Sequence, residues 1–405
     1  GEACAVTRAS TYQAAWRRIL GDEFSWLPSV SSMVICFSAS VAAASVISDT
    51  AGELAAGLVG VPNDALTRDV LLCGIAGLVF VPLCSLPSLA PLAFASLLGL
   101  LGVGLLVAVM AARLFDGSYQ PGGALFELAM WKPAAFGSSV GAAGAGAAAA
   151  GRESSDALLL TALLSNAFSA HYNAPALFED LRQPPVAGRP NVGGAATPSV
   201  TPAATAVADR RAKLGSFMLV TCAAFLLSGL LFAGVTIAGI GTFGSAVQPS
   251  ILNNYASGDP LATVARVGLG LCVMFELPLL ERTFRATAVE LIGLPPDVAS
   301  QPAVAAASVG LICAIACVPG LSLEKVTALG GAVGASFIIY IAPALMSLKL
   351  RQKRFLYAPI EEAGGDQDDA QLLRTAGSSS LRALAALGAA LGVLGAFAAI
   401  TTTGA

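Results

Sequence analysis

Charge is what this sequence has least of. Only 12% of its 405 residues are Asp, Glu, Lys or Arg, where a soluble globular protein carries roughly 25%. That shortage excludes a soluble enzyme of ordinary composition, and the 56% share of apolar residues excludes a disordered chain. Basic clusters are missing as well. The net charge is −3 and the pI is near 5.3, so nucleic acid is not expected as a partner. Histidine occurs once, at His171, and the eight cysteines contain no Cys-x-x-Cys pair. Neither a zinc site nor another cofactor is expected from such a set. All the cysteines but Cys4 lie in or beside apolar runs, where a thiol reads as a small buried side chain. No charged-then-apolar leader opens the chain, and residue 1 is Gly rather than Met. The start therefore reads as processed, or as that of an incomplete gene product.

Long apolar runs are what the chain does have, with a mean hydropathy of +0.76. A helix needs about 20 apolar residues to cross the hydrocarbon core. Residues 24–48 make one such run, and 70–112 is long enough for two, with Pro82, Pro87 and Pro91 marking the break into 70–86 and 88–112. Further spans are expected at 157–178, 214–239, 261–292, 302–318, 325–348 and 382–402. The period-2 pattern of strands is absent, and lipid satisfies no free backbone groups, so the spans are helices. The reading is an all-α, polytopic integral membrane protein with about nine spans in a single domain over 1–405, behind a cytosolic segment at 1–23.

Basic residues orient the spans. If the first runs outward from the cytoplasm, 16 of the 22 Lys and Arg fall on the inner side and 6 on the outer. The positive-inside rule favours that orientation, with a cytosolic start and an external end. Residues 137–151 are nearly all Gly, Ala and Ser, and 183–212 are rich in Pro, Ala, Gly and Thr. Both read as flexible loops. Gly330 with Gly334 and Gly388 with Gly392 have the small-xxx-small spacing that lets helices approach closely.

Polar groups inside a membrane are costly, so three places stand out. The run Ser165 to Pro175 concentrates small and hydrogen-bonding side chains around His171 and ends in proline. It fits a locally unwound helix of the kind that exposes backbone groups to substrate. It equally fits a proline-kinked helix whose histidine bonds a neighbour. In Phe275 to Arg285, Glu276 has apolar neighbours on its N-terminal side. It reads as a proton carrier or cation ligand, or else as an interfacial group. Glu281 and Arg285 form an i,i+4 pair at the cytosolic end of that span, worth about 0.3–0.5 kcal/mol. Asp49 closes the first span, either as an outer-gate charge or as a solvated helix end.

These segments, taken in order, resemble the amino acid/auxin permease family, in particular its neutral amino acid transporter branch. Thr11-Tyr12-Gln13-Ala14-Ala15 through Gly21 is similar to the segment before the family's third helix. Cys36 through Ser48-Asp49-Thr50 is similar to that helix and its GDT-type ending, with Ser48 in place of Gly. Pro82 to Pro87 through Ser96-Leu97-Leu98-Gly99 matches the link between helices four and five. Phe168 to Leu181 resembles the sixth helix, and Phe275 to Arg285 the eighth.

The resemblance implies a LeuT-like inverted-repeat fold, here lacking its first two helices, so that the nine spans are helices three to eleven. It implies secondary transport of amino acids, coupled to protons or sodium. Phe168, Ala170, His171 and Asn173 would flank the unwound part of helix six and line the substrate path. Glu276 would lie in the region that contributes to ion coupling. A carboxylate there departs from the hydroxyl or small residue expected, and leans the coupling toward protons. The alternative on the same fold is a non-transporting amino acid sensor or receptor. An intramembrane enzyme is not expected, because no acid–base constellation is present. The partners implied are an amino acid and the lipid bilayer, in a plasma membrane or a vacuolar or lysosomal-type membrane.

Overall fold

A computed structural model describes residues 2–7, 9, 11–86, 92–128, 146–181, 202–248, 250–321, 323–357 and 367–401. Among these residues there are helices and no strand. In chain order the helices are α1 (Glu2–Thr7), α2 (Tyr12–Leu20), α3 (Trp26–Val59), α4 (Ala65–Cys84), α5 (Leu92–Asp116), α6 (Gly146–Ala167), α7 (Ala174–Asp180), α8 (Pro202–Phe243), α9 (Pro260–Ile292), α10 (Pro302–Ala316), α11 (Leu323–Gln352) and α12 (Gln367–Thr401).

Among the described residues, seven stretches are long and apolar enough to cross a membrane: Trp26–Val59, Ala65–Cys84, Leu97–Asp116, Ala212–Phe243, Pro260–Ile292, Leu323–Gln352 and Ser378–Thr401. The most apolar window of Ala212–Phe243 has no buried residue. Such a helix needs lipid as its solvent. The chain is a polytopic, all-α integral membrane protein.

The remaining two expected spans take other forms. α10 has 15 residues, short of the about 20 needed to cross alone. Pro302 opens it, and Gly320, with φ 79°, lies just beyond its end. The run expected at 157–178 is divided between α6 and α7. Of the two stretches read as loops, 137–145 and 183–201 lie outside the described residues, while 146–151 open α6 and 202–212 belong to α8.

The chain divides into two compact units. One comprises Gly1–Ser29, Phe168–Ser228 and Phe337–Ala389. Here Tyr12, Ala15, Trp16 and Ile19 repeat at helical spacing and bury one face of α2. Thr11 caps that helix by accepting from the Ala14 N–H at 3.1 Å. Tyr12 donates to the Ile338 carbonyl at 3.2 Å, and the Trp16 ring lies 5.6 Å from Phe337. Arg18 donates to the Thr7 carbonyl. Cys4 and Phe178 form a small core with Leu214 and Phe217, and Lys213 lies over the Phe178 ring.

The other unit comprises Val30–Ala167, Gly229–Ser336 and Ala390–Ala405. Two close approaches organise it. Where α5 meets α9, a Cβ on Gly102 would lie 2.9 Å from the Gly268 carbonyl carbon, so the pairing needs glycine. The second is the π-helical turn Gly330–Ala335 in α11. Cβ atoms on Gly330, Gly331 and Gly334 would run into Ser38, Ala162 and Ser31 respectively. α3 and α6 thus press on α11 through glycine, and Ala332 meets Gly392 and Gly395 of α12. Side chains of Leu159, Ala162, Ala328, Ala332 and Ala399 fill the remaining space. Small residues suit this role, because packing rather than water drives helices together in lipid.

Candidate functional site

The helix break after α6 is the first candidate site. α6 ends at Ala167, a four-residue 3-10 turn covers Ala170–Asn173, and α7 begins at Ala174. Ser169 has φ −81° and ψ 50°, and the Ala170 N–H donates to the Phe168 carbonyl at 2.9 Å. That is an inverse γ-turn, tighter than any helical turn. Pro175 explains why the helix restarts rather than kinks. It sits in the first turn of α7, where a missing N–H costs nothing. Such a break removes the last carbonyls of α6 from the helical ladder.

The expected site residues fall around this break. Phe168 is half-buried and stacks on Phe225 of α8, with centroids 5.7 Å apart and rings 22° from parallel. His171 is also half-buried, its ring 5.9 Å from Phe225, so one aromatic holds both. Nδ1 of His171 is buried and without a hydrogen-bond partner among the described residues. Ala170 and Asn173 are exposed. The break therefore offers an aromatic wall and an exposed amide.

Glu276 lies in the other unit, on α9. It is exposed, while its neighbours Leu277 and Pro278 are buried. Among the described residues it makes no hydrogen bond or ion pair. The buried carboxylate of α9 is Glu281, 0% exposed, paired with Arg285. The solvated-pair value expected for these two does not apply, because both side chains are inside the protein.

A second polar network includes Asp49, but its partners are not readable from the sequence. α3 does not stop near Ser48 but runs on to Val59, so Asp49 and Glu53 both lie within it. Asp49 pairs with Arg68 at 2.8 Å and accepts from Asn253 at 3.2 Å. It is thus neither a solvated end nor an isolated charge. Glu53 accepts from Asn63 at 2.6 Å and from Ser257 at 2.7 Å. Its other neighbour is Arg266, 3.7 Å away and 1% exposed. Arg266 also donates to the carbonyls of Leu252, Tyr255 and Ala256 at 3.0, 2.7 and 3.3 Å. One buried cation therefore fixes the loop that leads into α9. The available signal was a lone arginine in an apolar run, which in a membrane span requires a partner.

Cysteine burial is also uneven. Cys4, Cys36, Cys84 and Cys313 are buried, but Cys73 and Cys222 are exposed. Within a span, exposed surface meets lipid, so a thiol is not forced inward.

The family described as Transmembrane amino acid transporter protein matches residues 201–358. That match supports the amino acid permease family and points to amino acid transport across a membrane. It takes in α8, α9, α10 and α11, and so includes Glu276 and Glu281, while the break at 168–173 precedes it. No curated protein was found to match the chain.

Proposed function

We propose that this protein is a secondary active transporter that moves neutral amino acids, driven by protons. The family match over 201–358 carries the transport reading. The broken helix supports a place for the substrate. Phe168 with His171 and Phe225 suits an apolar side chain. Asn173 supplies a neutral hydrogen-bonding group. On this reading Glu276 carries the driving proton, because it is an ionisable side chain within a span and forms no ion pair among the described residues.

Uptake of labelled neutral amino acids into proteoliposomes holding the full-length product tests this. One pH unit is worth about 1.4 kcal/mol, which drives at most about tenfold accumulation at one proton per substrate. The expected result is that Glu276→Gln loses this accumulation and keeps exchange of internal for external amino acid. Full pH-driven accumulation by Glu276→Gln would remove the proton role. Binding with no flux in the unmodified protein would remove the transport reading.

A further inference from the structure

The last turns of α9 hold a charge pair that joins three helices. Glu281 Oε1 accepts from Ser308 Oγ of α10. Arg285 Nη2 donates to the Cys84 carbonyl, at 2.9 Å, at the end of α4. That carbonyl belongs to a helix C-terminus, where a cation is favourable. Between the two, Arg285 Nε lies 3.1 Å from Glu281 Oε1, close enough for an ion pair but without the angle of a hydrogen bond. Both side chains are buried, at 0% and 5% exposure. Even so, Glu281 Oε2 and Arg285 Nη1 have no hydrogen-bond partner among the described residues.

Elsewhere in the same unit, each carboxylate oxygen of Asp259 accepts two hydrogen bonds. The Glu281–Arg285 pair is half-satisfied, and so is easier to open. The other groups acting on it are Arg282 of α9, Cys84 of α4, and Ser308 of α10, with Cys313 beside Cys84. No second carboxylate is among them to take its place.

We propose that this pair is a proton-operated latch. Charged and paired, it holds α9 to α4 and α10. When Glu281 takes up a proton from water, its carboxylate becomes a neutral acid and Arg285 keeps its charge. A buried cation that has lost its counter-charge is strongly destabilised. Arg285 is therefore driven toward water, and the contacts that it makes between α9 and α4 part. This deepens the proton-coupled reading and rests on it for its purpose, but its test does not use transport.

Cys84 reports the latch directly, because it is 2% exposed and its own carbonyl receives Arg285. The unmodified protein in lipid nanodiscs is treated with N-ethylmaleimide at ~pH 7.5 and ~pH 5.5. Alkylation of the Cys84 peptide is read by mass spectrometry and divided by that of the denatured protein at the same pH, which removes the effect of thiolate fraction. Relative labelling is expected to rise at least about fivefold on acidification, the lower end of ordinary coupling between sites. In Glu281→Gln it is expected to be high at both values. Should that variant fail to fold, Ser308→Ala keeps both charges and removes a donor to the carboxylate, and the labelling midpoint is expected to move to higher pH. Labelling indifferent to pH, pH dependence retained in Glu281→Gln, or an unmoved midpoint in Ser308→Ala each overturns the latch. Proton-driven uptake alongside pH-indifferent labelling would remove the latch and leave the transporter. The reverse would remove only the transporter.

Discussion

Gly331→Ala is expected to destabilise the second unit strongly. The added methyl would overlap the Ala162 carbonyl oxygen of α6 and lie 2.8 Å from its carbonyl carbon and 3.1 Å from the Asn166 Cβ. The first obstacle is backbone, so no rotamer change relieves it. Either α6 or α11 must move away. That motion opens the cluster formed by Leu159, Ala162, Ala328, Ala332 and Ala399, where close packing is the main attraction between helices. Overpacking typically costs about 1–3 kcal/mol where neighbours can adjust. Here they cannot, and the loss is expected at or above the top of that range. At about 2–4 °C per kcal/mol for a unit of this size, the melting temperature falls by roughly 10 °C, or no monodisperse protein is recovered. Gly310→Ala is the control. It is also a glycine in a helix, but an added Cβ there meets nothing within 4 Å, so it is expected to be neutral or slightly stabilising. Thermal unfolding of the two variants side by side decides the matter. Equal behaviour would mean that the α6–α11 contact is not close packed.

The same glycines show which parts of the structure were readable in advance. Gly330 and Gly334 declared themselves by spacing, because small-xxx-small patterns record a local property, namely how near another helix can come. The spans were readable for a similar reason: a charge-free run longer than the hydrocarbon core has few other uses. The break at Phe168–Ser169 was half readable. Proline and small polar residues marked the place, but a kink and a γ-turn have the same composition, and only the backbone separates them. The charge networks were not readable. Asp49 looked like the end of α3 because a charge usually ends a span. The helix continues because Arg68 and Asn253, both distant in sequence, take up that charge. Glu281 and Arg285 likewise looked like a solvated pair until Ser308 and the Cys84 carbonyl enclosed them. Pairing is a tertiary fact, and an ionisable residue in an apolar run announces only that it needs a partner.

Asp259→Asn is expected to cost the same unit about 3 kcal/mol, the lower end of the range for breaking a buried pair, because Arg113 keeps a second acidic partner. Asp259 precedes α9 and caps it, accepting from the Leu261 N–H at 2.9 Å. Its carboxylate also accepts from Arg113 through two nitrogens, Nη2 and Nε, the second at 2.9 Å. Tyr119 donates to it at 2.9 Å and accepts from the Ala256 N–H at 3.0 Å. The Tyr119 ring packs edge-on against Phe243 and Tyr255. One side chain thus ties the end of α5, the loop after it and the start of α9. An asparagine would present an amide to donors and leave Arg113 with Asp116 as its remaining acidic partner. Burial alone would raise the Asp259 carboxyl, but the bonds from Arg113 and Tyr119 outweigh it and hold the group below the ordinary carboxylate range. A group lowered in this way adds stability that is fully present above its unfolded value of about 3.9 and is lost as the pH falls through the lower, folded value. Melting temperature in nanodiscs is therefore expected to be insensitive to this group from ~pH 7 to ~pH 5 and to fall in more acid solution. Asp259→Asn should melt roughly 10 °C lower near neutral pH and lose part of that acid slope. Tyr119→Phe removes one hydrogen bond to the carboxylate and one from Ala256, and is expected to cost about 1–3 kcal/mol. If Asp259→Asn melts with the unmodified protein, or keeps its full acid slope, then α5 and α9 are held by their glycine contact at Gly102 and Gly268, and the charge pair is incidental to it.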